Sequence, residues 1–467
     1  IGATLPGVSW QRCRTHYAVN LMATTPKASW PWVRTMLHSV YDQIDAQNPN
    51  NPRPVVYGRK VGHAIYGCNK VSAIPMYDSP IWREAFAKMV RALGARYNNH
   101  PQVTAVDICT GLDGETAIGK DWYCDWDTLI DQQAPGVRYR FNNWIYDAMA
   151  VYREAFPDKP IFIMNAAGGP GILASTSDYA LEFTPPIGIK NNSMWIDKDS
   201  HQGYGEYVGS FDKIAAYSMT VPIWLESMFG LGDKEGRYWS LIAGLHYHPD
   251  GMDLHDPYFS PDGIIAEHLR FANDHIGVNI GNTPSVWTVL RDAEYPLKTW
   301  NNGQAGCSGH MGDWTFWLYR NEYAPQSATQ IVLRENMPVA KNAIYSRPTR
   351  RTKQDQGHIF MSFDIDDQYP YVAQKPVDVE GGNVHYNVYV TILNYGTDTF
   401  SLQYRNWDGE IVSQTRRKGP ELGAVNDWVV VPFLVRDGYL NNNMPGNTDF
   451  RISCERDGDE YIHMVRV

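Results

Sequence analysis

The stretch VPIWLE, residues Val221–Glu226, is an apolar run that ends at a carboxylate. The segment after it, Lys234–Ala243, has the apolar spacing of a helix. The apolar runs Val103–Ile108 and Ile161–Met164 stand in similar settings, because a helical segment follows each of them. This alternation of strand and helix is typical of a parallel sheet covered by helices. The sequence therefore predicts an α/β fold.

The number of repeated units indicates a (β/α)8 TIM barrel. We predict its last strand at Gly244–Tyr247, and counting back makes Pro54–His63 strand three. The first two units must then lie within residues 1–53. An open doubly wound sheet is the structural alternative, but it usually carries a glycine-rich phosphate loop after an early strand, and the sequence shows none. We expect no cofactor.

The last third of the chain has a different pattern, with short strands separated by Gly, Asn and Asp. The run Asn394–Asp398 predicts a hairpin turn between the strands Val384–Leu393 and Phe400–Tyr404. Short strands without long helices indicate a β-sandwich. We therefore predict two domains, a barrel over residues 1–282 and an all-β sandwich over residues 283–467.

Composition and charge narrow the classes of function. The 467 residues carry a formal charge of −10, and no basic stretch interleaves with aromatics, so we expect no nucleic-acid partner. No apolar run is long enough to span a membrane. The 16 Trp and 29 Tyr suit a carbohydrate partner, because both side chains combine an apolar face with a polar group. The chain starts at Ile1 and its six cysteines permit disulfides, which favours a secreted protein; a cytoplasmic protein with free thiols is the alternative.

Two glutamates are the candidate catalytic residues. Catalytic groups of a (β/α)8 barrel project from the carboxyl ends of its strands. Glu115 follows predicted strand four in a loop with two glycines, and Glu226 follows predicted strand seven. Strands four and seven lie across the barrel mouth from each other, so the two side chains could flank one glycosidic bond. Each could instead be a structural carboxylate, with Glu226 neutralised by Arg or Lys inside the barrel.

Glutamates at strands four and seven make the chain resemble glycoside hydrolase clan A, the retaining barrel glycosidases. The run Tyr97–Pro101 is also similar to the approach to strand four in β-galactosidase-like members. The resemblance implies Glu115 as acid/base and Glu226 as nucleophile. Gly114 stands where the clan has Asn, which leaves Asp113 as an alternative acid.

Polar and aromatic residues near the other predicted strand ends could bind substrate hydroxyls or stack on a sugar ring. These candidate substrate-binding residues are Asp113, His63, Asn165, Asn192, Trp195, Trp224, His246, Tyr247, His248 and Asp250. We expect a retaining glycosidase that acts on a β-linked oligo- or polysaccharide; a homo-oligomer is compatible with the sequence. A non-catalytic carbohydrate-binding or extracellular structural protein with a degenerate barrel is the first alternative. A metal-dependent hydrolase using His246 and His248 is the second.

Overall fold

A computed structural model describes eleven stretches of the chain. They are residues 55–60, 70–75, 77–111, 116, 137–164, 172–194, 214, 217–227, 233–291, 312–372 and 385–467. The chain divides into two compact units. The first unit holds Ile1–Ser193, Gln202–Ser227 and Gly251–Leu254, and the second holds Met194–His201, Met228–Asp250 and His255–Val467. The domain boundary predicted near residue 282 stays a prediction.

The first two strands form a sheet of their own. Strand β1 (Val55–Lys60) pairs antiparallel with β2 (Lys70–Pro75). The prediction that Pro54–His63 is strand three of the parallel sheet is therefore wrong for its described part. Only nine residues connect β1 and β2, and a parallel connection needs about a dozen or more.

A five-stranded parallel sheet forms the centre of the first unit. Its strands follow one another in chain order across the sheet. They are β3 (Val106–Ile108), β4 (Ile161–Met164), β5 (Gly188–Met194), β6 (Ile223–Ser227) and β7 (Gly251–Asp253). Three helices alternate with the early strands, namely α1 (Pro80–Tyr97), α2 (Val137–Ala155) and α3 (Ile172–Ala180). The parallel sheet confirms the predicted α/β class.

The apolar core of this unit lies between the helices and the sheet. Trp144 of α2 is buried and its ring packs edge-on against Phe86 of α1, with the ring centroids 4.6 Å apart. Val90 of α1 and Ile163 of β4 belong to the same buried cluster. Helical spacing in α1 and α2 thus directs one face of each helix toward the strands.

The last predicted strand of the barrel is wrong. Helix α4 (Lys234–His246) includes most of the run Gly244–Tyr247, and the strand β7 comes after it. Asp233 caps the start of α4, since its side chain accepts a hydrogen bond from the Gly236 N–H at 2.7 Å. The helix continues through Gly244–His246, although a short apolar run by itself fits a buried strand and a buried helix equally well.

The second unit contains two mainly antiparallel sheets beside α4 and α5 (Ala266–His275). The strands of these sheets are β8 (Trp287–Val289), β9 (Trp314–Phe316), β10 (Leu318–Asn321), β11 (Gln330–Val332), β12 (Thr349–Arg351), β13 (Phe360–Ile365), β14 (Tyr386–Leu393), β15 (Thr399–Arg405), β16 (Ile411–Arg417), β17 (Trp428–Val435), β18 (Phe450–Ser453) and β19 (Tyr461–Arg466). One sheet has the order β10-β13-β18-β15-β16, and the other has the order β11-β12-β19-β14-β17 with β8 and β9 attached. None of the helices in the described ranges combines the length and apolar character that crossing a membrane requires.

The turn after β14 does not make the predicted hairpin. β14 pairs with β17 and β19, whereas β15 pairs with β16 and β18 in the other sheet. The buried Asn394 side chain accepts a hydrogen bond from the Gly419 N–H and donates to the carbonyl oxygens of Gly419, Gly423 and Ala424. These bonds tie the turn to residues 419–424, so the chain crosses between sheets there.

Candidate functional site

A lysine surrounded by three carboxylates is the densest cluster of charge on the parallel sheet. Lys190 Nζ lies 3.0 Å from Asp107 Oδ2, 2.7 Å from Asp253 Oδ2 and 3.6 Å from Glu226 Oε2. The lysine side chain is 1% exposed, and the three carboxylates are 17–25% exposed. A buried ammonium is thus shared by carboxylates that water still reaches.

The strand register brings these side chains together. Glu226 of β6 stands opposite Asp253 of β7, so the two carboxylates share one face of the sheet. Along β6 the residues Ile223, Leu225 and Ser227 are buried, and Glu226 alternates with them. The cluster therefore gathers one charged side chain from each of β3, β5, β6 and β7.

The charges around Lys190 fix its protonation. Burial alone lowers the pKa of Lys190, but Asp107, Asp253 and Glu226 outweigh burial and hold that pKa above its ordinary value. The lysine therefore stays a cation at neutral pH and serves as a hydrogen-bond donor rather than as a nucleophile.

The structure places only part of the predicted site. Five predicted residues lie outside the described residues, namely Glu115, Asp113, His63, Asn165 and Trp195. Only the backbone of Asn192 is described, within β5. Trp224 lies on β6, and its ring packs edge-on against Phe162, with the centroids 5.5 Å apart. Gly251 leaves room for that ring, because a Cβ on it would lie 2.2 Å from the indole.

The four residues predicted after strand eight belong to the second unit. The Thr315 N–H donates to His246 Nδ1 at 3.1 Å, and the ring of His248 packs 4.2 Å from that of Trp317. Burial lowers the pKa of His248 to about 3, so its imidazole is neutral. Tyr247 is buried and Asp250 is exposed. In the described ranges, no group of three or more His, Cys, Asp or Glu side chains could hold a metal ion.

Sequence reasoning missed three of the four members of the cluster. Asp107 and Lys190 each stand next to an apolar residue inside a strand, and Asp253 ends a strand that was not predicted. A charged residue inside a strand of a parallel sheet is costly unless it is paired. That rule could have marked Asp107 and Lys190 as partners from the sequence.

The start of the chain is similar to known transposases. Residues 1–55 match the Mutator family of transposases. The transposases for insertion sequence element IS1081 of Mycobacterium tuberculosis and Mycobacterium bovis are each 77% identical to this chain over 48 residues. The match covers 10% of this chain and 12% of either relative. The chain thus spans about an eighth of the length of these curated relatives.

Solved structures with some likeness to the chain include two glycosidases. A thermostable mutant of a xylanase from Cellvibrio japonicus is 13% identical, with 43% of this chain and 72% of that chain covered and a TM-score of 0.27. A Bacteroides uniformis β-glucuronidase is 11% identical, with 83% and 56% covered and a TM-score of 0.24. These TM-scores are too low to carry an argument.

These findings correct the functional predictions. The assignment to glycoside hydrolase clan A, the glycosidase function, the carbohydrate partner and the non-enzymatic alternative are wrong, because the family and curated matches are to transposases. The choice of Glu115 and Glu226 as catalytic residues stays a prediction. The expectation of no nucleic-acid partner is wrong for the same reason. The net charge of −10 describes the whole chain and does not show that residues 1–55 are basic, with five Lys and Arg and two Asp.

Cys109 and Cys454 are free thiols, and the other four cysteines lie outside the described residues. The extracellular location stays a prediction.

Proposed function

We propose that this protein binds DNA through residues 1–55. The observation that carries the proposal is the 77% identity over 48 residues to transposases of insertion sequences. Such proteins act on DNA, and a segment this similar retains most of the same side chains. Because the match covers 12% of those relatives, the proposal is limited to DNA contact and does not extend to strand transfer.

The charge distribution supports this proposal. Residues 1–55 carry a formal charge of +3, whereas the whole chain carries −10. Arg12 and Arg14 stand two positions apart, with Trp10 and His16 on either side. Cationic side chains supply most of non-specific affinity for DNA, because each phosphate contact releases condensed counterions.

Duplex DNA titrated into the full chain across a salt series tests the proposal. The variant Arg12→Gln/Arg14→Gln/Lys27→Gln should bind more weakly at low salt, and each lost phosphate contact should reduce the log–log salt slope by about 0.9. The control is Arg417→Gln/Arg436→Gln, which removes exposed cations of the second unit. Equal salt slopes for the wild type and the triple variant would contradict the proposal, as would a failure of the wild type to bind DNA at low salt.

We also propose that the parallel sheet is part of a closed (β/α)8 barrel. Five parallel strands in chain order support this, because barrels place successive strands side by side. In a closed barrel β3 and β7 pair on both sides, so hydrogen exchange of their amides should be slow. The control is β16, an edge strand of an antiparallel sheet. Exchange in β3 and β7 as fast as in β16 would rule out closure.

A further inference from the structure

A small cavity beside strands β13, β18 and β15 has the chemistry of an anion site. Its volume is about 180 Å³, and Ile359, Phe360, Gln403, Arg451, Ser453 and Arg456 line it together with Glu455. All of these residues belong to the second unit, whereas the Lys190 cluster belongs to the first.

The strand register explains why these side chains meet. Phe360 stands opposite Ser453, and Gln403 stands opposite Arg451. Residues directly opposite share a face, and so do residues two apart on one strand, such as Arg451 and Ser453. The sheet therefore places an aromatic ring, a guanidinium, an amide and a hydroxyl around one depression.

The guanidinium of Arg451 is held in a fixed plane. Its Cζ lies 3.6 Å from the ring centroid of Phe360, and its Nε donates to Gln403 Oε1 at 2.8 Å. Burial lowers the pKa of Arg451, and the hydrogen bond to Tyr323 opposes this shift only in part. A guanidinium fixed by stacking and by hydrogen bonds to Gln403 and Tyr323 loses little conformational freedom when an oxyanion binds its remaining donors.

The rim adds a second cation and one competing carboxylate. Glu455 and Arg456 are exposed and adopt φ values of 50° and 65°, a left-handed conformation that is uncommon for residues other than glycine. The Glu455 N–H donates to Ser453 Oγ at 3.2 Å, and Gln403 Nε2 donates to Glu455 Oε1 at 3.5 Å. Glu455 thus places an anionic group of the protein beside the donors that an external anion would use.

We propose that this cavity binds a small organic anion, with a phosphate or carboxylate head on Arg451 and Arg456 and an apolar body against Ile359 and Phe360. The charged side chains that line the cavity are two arginines and one glutamate, so the lining carries a net positive charge. Planar Arg donors match the geometry of both oxyanions. A volume of about 180 Å³ exceeds what one phosphate needs and leaves room for a ring-sized body.

Calorimetric titration of the full chain tests the proposal with three probes: phenyl phosphate, benzoate and inorganic phosphate. Phenyl phosphate should bind more tightly than inorganic phosphate, because its ring buries apolar surface. Arg451→Gln should weaken phenyl phosphate by about 10-fold or more, since it removes a charge-assisted pair. Arg456→Gln, an exposed change that leaves the Phe360 stack intact, should weaken it several-fold. The control is Arg416→Gln, whose guanidinium stacks on Phe433 and does not line the cavity.

Glu455→Gln gives a result that a purely structural role for these residues would not produce. Removing the one carboxylate of the rim should raise the affinity for phenyl phosphate several-fold. Absence of binding to the wild type at millimolar phenyl phosphate would overturn the proposal, as would equal affinities for the wild type, Arg451→Gln, Arg456→Gln and Glu455→Gln. DNA binding by residues 1–55 should not change in Arg456→Gln. If this variant loses DNA affinity while phenyl phosphate fails to bind, the cavity contacts nucleic acid instead and the small-anion proposal is wrong.

Discussion

Two buried lysines, one in each unit, are surrounded by carboxylates in different ways. Lys190 and Lys418 are both 1% exposed. The three carboxylates around Lys190 are 17–25% exposed, whereas Lys418 pairs with Asp398, 10% exposed, and with Glu460, 0% exposed. Water therefore reaches the anions of the first cluster and is nearly excluded from those of the second.

The two clusters differ accordingly in charge. With all groups ionised, one lysine and three carboxylates leave the Lys190 cluster at −2, which hydration of the carboxylates can support. In the Lys418 cluster, burial together with the charge of Asp398 raises the pKa of Glu460 to about 8. Glu460 is then protonated at neutral pH, and Lys418 balances Asp398. The comparison teaches that exclusion of water, more than the number of carboxylates, forces a cluster toward neutrality.

Loss of Lys418 should have the largest effect. Lys418→Met leaves Asp398 and Glu460 without their cation, and breaking a buried pair typically costs about 3–5 kcal/mol of unfolding free energy. Lys190→Met should cost less, about 1–2 kcal/mol, because its carboxylates can be hydrated. Urea unfolding at pH 7 measures both.

The control for this prediction is the double variant Lys418→Met/Asp398→Asn. It removes the uncompensated carboxylate and should recover part of the lost free energy, as expected when the damage comes from an unpaired charge. If Lys190→Met cost as much unfolding free energy as Lys418→Met, hydration of the carboxylates around Lys190 would not reduce the cost of losing the lysine.

The protonation of Glu460 should make stability depend on pH with a defined sign. Its pKa of about 8 in the folded protein exceeds the ordinary value of 4.5, so the folded state binds more protons between these limits. The free energy of unfolding should then fall by about 1 kcal/mol per unit as pH rises toward 8, and level off above it. Glu460→Gln, which mimics the protonated acid, should remove this slope at little cost at pH 7.

Buried histidines make the free energy of unfolding fall as pH decreases, and they therefore limit the pH range in which the effect of Glu460 can be measured. Burial lowers the pKa of His463 to about 3 and of His268 to about 4, so protonation of the unfolded chain below pH 6.5 weakens the fold. Measurement between pH 6.5 and 8 largely avoids this contribution. Identical dependence of the unfolding free energy on pH in the wild type and in Glu460→Gln would show that Glu460 is ionised and that the Lys418 cluster is not neutral.

The sequence predicted the elements of the chain better than their partners. The apolar run Ile161–Met164 forms β4 at its predicted limits, and the helix predicted at Lys234–Ala243 is α4, which continues to His246, because apolar periodicity is a local property. The hairpin at Asn394 was wrong, because the choice of sheet depends on bonds to residues 419–424. Glu226 was singled out together with neutralisation by a lysine or arginine, but its partner Lys190 could not be identified without the strand register.

Within the Lys190 cluster, the contribution of each carboxylate to the unfolding free energy should decrease as its distance from Lys190 Nζ and its exposure increase. Removing the charge of Glu226 should therefore have the smallest of the expected effects. Glu226 Oε2 lies 3.6 Å from Lys190 Nζ and its side chain is 25% exposed, whereas Asp253 Oδ2 lies at 2.7 Å with 17% exposed. Glu226→Gln should change the unfolding free energy by less than about 1 kcal/mol, and Asp253→Asn should cost more, because a longer and better hydrated pair is screened by water. Urea unfolding at low and at high salt measures both. A cost for Glu226→Gln that exceeded the cost for Asp253→Asn would mean that Glu226 stabilises the fold through contacts other than Lys190.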